Sequence, residues 1–255
     1  DGFNQSLTRS DKDEDGIWDA DPEVVKIFLN VIYQAYYDRL PEEKRRHLAG
    51  FFTDEPQLSR NGIPYSPAML AEYKKTWGED AMDRIPELFL KIGEYTRTRV
   101  RFWQTMARCF AHSYSKQLGE WCEAHGMKLT GHMVCEETYE SQTVSNGAVM
   151  PHYPYFHIPG IDSLGLALHP FTLQVQTWSA CAQAGRNQML TETYAGCGWN
   201  VSFDDLRYML NDQMVRGANL LCPHLESYTL RGIRKRDYPA SLFFHQPWWP
   251  WYRKF

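Results

Sequence analysis

Residues 51–56 read FFTDEP, a short apolar run that stops on two adjacent carboxylates and a proline. Further along, NQMLTETYAG sets Glu192 after a similar apolar run. Two carboxyl groups at the ends of separate strands are what glycoside hydrolysis needs. One, protonated, helps the leaving oxygen depart; the other, ionised, activates water or attacks carbon. Glu55 and Glu192 are therefore the first candidates for a catalytic pair. Asp54 would hold a proton on Glu55 by like-charge repulsion if both faced one pocket. Successive strand side chains point to opposite faces, however, so strand geometry favours one of the two. The plainer role for the DEP triplet is a helix cap or an arginine partner.

Other stretches carry the same kinds of group. GHMVCEETYESQ contains His132, Glu136 and Glu137, IPGIDSLG contains Asp162, and PHLESY contains His224 and Glu226. Glu226 could replace Glu192 as the base, and Glu136 and Glu137 are the runner-up acids, though a solvated helix start explains the latter two nearly as well. Asp54, His132, Asp162, Tyr194, Trp199 and His224 are the expected substrate-binding residues. The chain is 15% aromatic with nine Trp, and flat aromatic faces suit the C–H faces of pyranose rings as well as they suit a core. His152 and His157, five apart, fit no helical zinc pair, and the metal ligands stay unassigned. DKDEDG opens like a calcium loop, but Pro22 stands where the bidentate Glu is required, so a plain acidic loop is expected.

The elements that must carry these groups alternate. DADPEVVKIFLNVIYQAYYDRL reads as a helix capped by Asp21, with Val24, Ile27, Phe28, Val31, Ile32 and Ala35 as its apolar stripe. From Pro86 to about His125 the pattern is helical again, as one long helix or two abutting ones, stopped by Gly126. TLQVQTWSACAQAG and SFDDLRYMLNDQMVRG are helix-like, the second capped by Ser202. Strands are expected at 49–53, 127–133, 160–165, 187–192 and 218–224, each ending in a chemically useful residue. Alternating β and α units predict a parallel sheet, and a polar residue after every strand favours a (β/α)8 TIM-type barrel, whose sites sit at the C-terminal strand ends. Five units do not close such a barrel, so the expectation is its C-terminal part, with residues 1–255 forming part of one catalytic barrel domain.

Composition narrows the class. The 255 residues are 43% hydrophobic with a net charge of −4, which suits a soluble globular protein. No basic patch points to nucleic acid, and no apolar run spans a membrane. The polar, acidic start is no signal peptide, and a periplasmic or secreted parent is compatible with the chain. None of the six cysteines forms a CxxC pair, so buried thiols are expected.

Taken in order, FFTDEPQ, GMKLTGHMVCEETYESQ, IPGIDSLG, LTETYAGCGWNVSFDDLRYMLNDQMVRGANLLCPHLESYTLRG and PWWPWYR resemble the catalytic barrel of glycoside hydrolase family 106, typified by α-L-rhamnosidases. The resemblance covers nearly the whole chain. It implies an inverting, exo-acting hydrolase of terminal α-L-rhamnosides in plant glycans, with the acid role on Glu55 and the base role on Glu192. It also implies β-sandwich modules elsewhere in a larger parent chain, and a calcium ion near the site. The sequence itself requires no cofactor. For an inverting pair the carboxyls are expected ~6.5–9.5 Å apart. Two rivals accompany this reading: a non-catalytic carbohydrate-binding or truncated barrel, and a metal-dependent hydrolase using His132, Asp162 and His224.

Overall fold

The structure, a computed structural model, describes residues 21–58, 62–224, 226, 229–232 and 242–255. The acidic segment Asp11–Gly16 lies outside the described residues. The chain divides into two compact units, Asp1–His157 and Ile158–Phe255.

The first unit opens with α1 (Pro22–Phe28), a π-helical segment (Leu29–Gln34) and α2 (Ala35–Arg39) in one continuous helical run. Asp21 caps it, its carboxylate accepting the Glu23 N–H at 2.9 Å. The buried residues are Val25, Phe28, Leu29 and Tyr33, whereas Ile27 and Val31 are exposed. The stripe expected from a 3.6-residue period is thus displaced. The displacement begins in regular α-helix, where Val25 rather than Val24 is buried, and Tyr33, within the π segment, meets Phe28 edge-to-face at 5.6 Å.

After α3 (Glu42–Arg45) comes β1 (Gly50–Asp54), where the sequence places it. α4 (Pro67–Trp77) is capped by Ser66 and closed by Gly78 in the left-handed conformation. The expected helix from Pro86 is corrected. α5 (Ile85–Phe89) is separate, and the long run begins at α6 (Tyr95–Phe110), after a break containing Gly93 at φ 53°. A second π segment (Ala111–Lys116) joins α6 to α7 (Gln117–Ala124), and β2 (Lys128–His132) follows. β1 and β2 pair in parallel, Gly50 opposite Lys128 and Asp54 opposite His132. Phe110, Tyr114, Leu118, Cys122 and Leu129 form much of the core here. Each large apolar side chain so buried contributes roughly 1.5–3 kcal/mol. α8 (Tyr139–Asn146) ends the unit's regular elements of any length, capped by Thr138 and Ser141.

The second unit holds β3 (Ile158–Ser163), α9 (Phe171–Gln183), β4 (Leu190–Thr193), α10 (Phe203–Val215), β5 (Leu220–Pro223) and α11 (Trp249–Tyr252). β4 pairs in parallel with β3 on one side and β5 on the other. Within each unit the β/α alternation in the sequence is therefore a parallel one, and the architecture is α/β. At the Trp-rich end, Trp248, Trp249 and Tyr252, each partly buried, lie against Tyr194, Val201, Leu206 and Met209, while Trp251 is exposed. Trp248 also donates its indole N–H to the Val201 carbonyl at 2.8 Å.

Ser202 caps α10 as expected. Its hydroxyl accepts the Asp205 N–H at 3.2 Å, while Asp205 accepts the Ser202 N–H at 2.8 Å. The Ser202 hydroxyl, donating to the Asp205 carboxylate at 2.7 Å, and secondarily the Ser202 N–H hold that carboxyl below its ordinary range. Ser202→Ala is expected to lower stability by about 1 kcal/mol, read as a fall in Tm, because it removes one half of this reciprocal cap.

All six cysteines are free thiols; Cys122, Cys181 and Cys197 are buried as expected, whereas Cys109, Cys135 and Cys222 are only partly buried. Burial pushes Cys122 up to about 12 and Cys181 to about 11, which makes both poor nucleophiles. No helix among the described residues is long and apolar enough to cross a membrane.

Candidate active site

In the first unit the strand alternation sorts β1 into two faces. Phe51 stacks on Tyr33 at 4.0 Å, and the Thr53 hydroxyl hydrogen-bonds the Tyr114 hydroxyl at 2.8 Å, so both look toward the helices. Phe52 and Asp54 occupy the opposite face. His132, in register with Asp54, lies on that face too. Its ring meets Phe52 edge-on at 5.5 Å, and its Nε2 is 3.8 Å from Asp54 Oδ1. The histidine side chain is 1% exposed and the aspartate 66%. The pair therefore joins a buried imidazole to a carboxylate that water can reach. Gly131 makes this approach possible. It sits at φ 125°, and a Cβ there would fall 1.9 Å from the Thr53 carbonyl oxygen.

Glu55 leaves the strand pattern. Its φ of 51° is in the left-handed region, so the alternation that fixes Asp54 no longer sets its direction. Cys135 after β2 and Tyr194 after β4 share this backbone conformation at φ 52° and 79°. Non-glycine residues held there cost about 1–3 kcal/mol and gather at functional loops. In this chain they follow the C-terminal ends of strands.

Glu136 and Glu137 separate clearly. Glu136 is buried and anchors the loop after β2. It accepts the Tyr153 hydroxyl at 2.8 Å and the Met133 N–H at 3.4 Å, and its carbonyl receives the Gln142 amide. Glu137, half-buried, immediately precedes the Thr138 cap of α8. His152 and His157 are built into the structure separately. His152 is fully buried, its Nδ1 2.7 Å from the Ser115 hydroxyl, and burial pushes its pKa down to about 3. His157 receives the Leu129 N–H on its Nδ1 at 3.0 Å.

In the second unit Asp162, Glu192 and Cys222 stand in register across β3, β4 and β5. Parallel neighbours in register project to the same face. His224, two residues beyond Cys222, brings its Nε2 to 3.7 Å from Glu192 Oε1, and its N–H bonds the Thr193 carbonyl at 2.7 Å. Glu192 is buried and His224 partly so. Burial, and secondarily the charge of Glu192, raises the Cys222 thiol. Trp199 is an exposed aromatic in the loop after β4, while Glu226 is exposed beyond β5. Tyr194, another of the expected binding residues, is buried. Only 1% exposed, it lies in the apolar cluster with Cys197, Val201, Leu206, Met209 and Leu242. Its left-handed backbone turns the chain after β4.

The opposite face of β3 and β4 holds a residue the sequence reading missed. Gln213 of α10 is buried against Ser163, Thr191 and Thr193, bonding all three hydroxyls. The available signal was a glutamine on the core side of a capped amphipathic helix.

Each unit thus ends its strands in a histidine–carboxylate pair, His132 with Asp54 and His224 with Glu192. Such pairs can orient a carboxylate for proton transfer, bind sugar hydroxyls, or supply nitrogen and oxygen ligands to a cation.

Among solved structures, the chain matches a rhamnosidase from Novosphingobium sp. PP1Y with a TM-score of 0.67 and 16% sequence identity, over 86% of this chain and 22% of that one. At that identity the likeness is one of fold, and the chain spans about a fifth of the length of the rhamnosidase. No family model matches the sequence, nor does any curated protein.

Proposed function

We propose that this chain contributes five β/α units to the (β/α)8 catalytic barrel of an inverting exo-glycosidase of the α-L-rhamnosidase type, resembling glycoside hydrolase family 106. The observation that carries the reading is Glu192: a buried carboxylate at the end of a parallel strand, within 3.7 Å of His224. The fold likeness to a rhamnosidase supports the same reading.

Glu192 serves as the general base, drawing a proton from the attacking water. Glu55 serves as the general acid, protonating the leaving oxygen; Glu226 and Glu137 are the reserves for these roles. Asp54, His132, Asp162 and His224 bind sugar hydroxyls, and Trp199 offers a stacking face. Tyr194 acts behind them as core. Other modules of a longer protein, β-sandwiches by family resemblance, complete the molecule.

Inversion is the test of mechanism. The protein at its natural length, given an aryl α-L-rhamnoside in an NMR tube, is expected to release β-rhamnose first, before mutarotation. First release of the α anomer makes the enzyme retaining and overturns the assigned roles. Binding of rhamnosides without turnover would favour a carbohydrate-binding barrel instead.

A second reading, metal-dependent hydrolysis, draws on the two histidine–carboxylate pairs. It predicts bound metal by elemental analysis and loss of turnover with chelator. Calcium, implied by the family resemblance, would favour the carboxylates of these pairs, since it prefers oxygen ligands.

A further inference from the structure

We infer that Gln213 is a positioning residue for Glu192, an inference that rests on the catalytic role proposed for that carboxylate. Thr191 and Thr193 flank Glu192 on β4, and Ser163 follows Asp162 on β3. Alternation sends these three hydroxyls to the face away from the two carboxylates. There one amide meets them all. Gln213 Oε1 accepts from Thr191 Oγ1 at 3.0 Å. Its Nε2 donates toward Ser163 Oγ at 2.9 Å and Thr193 Oγ1 at 3.1 Å, with the Ser163 carbonyl at 3.3 Å.

A clamp of this kind acts on rotation. A short strand can roll about its own axis, and a small roll swings the outward side chain through a larger arc. Holding the residues on both sides of Glu192 from behind removes that freedom. Tying Ser163 into the same amide fixes β3 against β4, and with it the offset between Asp162 and Glu192, which face each other in register. Simple packing would not require an amide. Burying one costs free energy unless its bonds are made, and an apolar side chain of similar size would fill the space without that demand. Gln213 is 3% exposed, with both ends of the amide engaged. What the amide adds over a leucine is direction, and the residue whose direction it controls is Glu192.

Gln213→Leu keeps the bulk and removes the bonds. In the protein at its natural length this variant is expected to lower kcat by about 10- to 100-fold with KM nearly unchanged, the signature of a misaimed catalytic group rather than a lost substrate contact. The 13C resonance of the Glu192 side-chain carboxyl, assigned by its disappearance in Glu192→Gln, should move or split in the same variant. Thr193→Val, which deletes a single bond of the clamp, is expected to shift both readouts in the same direction by less, and decides the matter if Gln213→Leu does not fold. A lower Tm with unchanged kcat and an unmoved Glu192 resonance would make Gln213 a stabilising residue only and overturn the inference. If the wild-type protein hydrolyses no glycoside, the catalytic reading falls, and the resonance alone decides whether Gln213 orients Glu192.

Discussion

Replacing Glu192 by glutamine is expected to lower kcat on an aryl α-L-rhamnoside by about 10³-fold or more, the scale on which general acid–base groups act. The amide has the shape of the carboxylate but cannot take a proton from water. KM should change little, since a glutamine still accepts hydrogen bonds from a sugar hydroxyl or from His224, 3.7 Å away in the parent. Circular dichroism and Tm close to wild type would show that the fold survives, because the substitution adds no volume to the buried strand. The outcome separates the candidates sharply. A variant with near-wild-type turnover removes Glu192 from the chemistry. A wild-type protein that binds rhamnosides and never releases product makes the whole constellation a binding site.

The second large effect is on stability. Gly131→Ala is expected to destabilise the protein by about 3–4 kcal/mol, from strain at a glycine-only backbone conformation and a clash with the neighbouring strand. The added Cβ would lie 1.9 Å from the Thr53 carbonyl oxygen and 2.8 Å from the Thr53 carbonyl carbon. Either β1 and β2 separate at the register that sets Asp54 opposite His132, or the backbone of Gly131 abandons φ 125°. Urea unfolding with tryptophan fluorescence would measure the loss as a lower midpoint. An alanine variant unfolding within about 0.5 kcal/mol of wild type, the scatter of ordinary surface changes, would mean the two strands do not approach as closely as described.

The strands were legible in the sequence because each is a short apolar run ended by a polar residue. β1, β2 and β5 fall within a residue or two of their expected places, and the Ser202 cap was readable from its side chain and Asp205. The facing of Glu192 and Asp162 was not readable, since parallel register depends on which strands pair. The buried face of the first helix was misplaced because apolar residues stand on two neighbouring rows, Val24, Ile27 and Val31 on one and Val25, Leu29 and Tyr33 on the other, and the letters do not say which row is covered. Glu55 shows the same limit at the site. Its carboxylate is visible in the letters, but its left-handed backbone, which frees it from the face assigned by alternation, is not. Gln213 was passed over because a single glutamine on a helix ordinarily faces water, and only the three hydroxyls brought to it from β3 and β4 make it a buried clamp. The burial of Tyr194 was not readable either, since it follows from a left-handed backbone after β4.

The two π segments, Leu29–Gln34 and Ala111–Lys116, have a bearing on how this chain should be matched to others. Each is a helix that has absorbed one surplus amino acid by bulging rather than by unwinding. A relative without the surplus would run as plain α-helix through the same place, and everything beyond would be numbered one lower. Pairwise matching that forbids gaps inside helices would then set Tyr33 and Tyr114 against the wrong partners, rotated by about 100°, one residue's step around an α-helix. Ancestry judged by such matching would look more distant than it is, and letting single-position gaps open at these two bulges is the remedy.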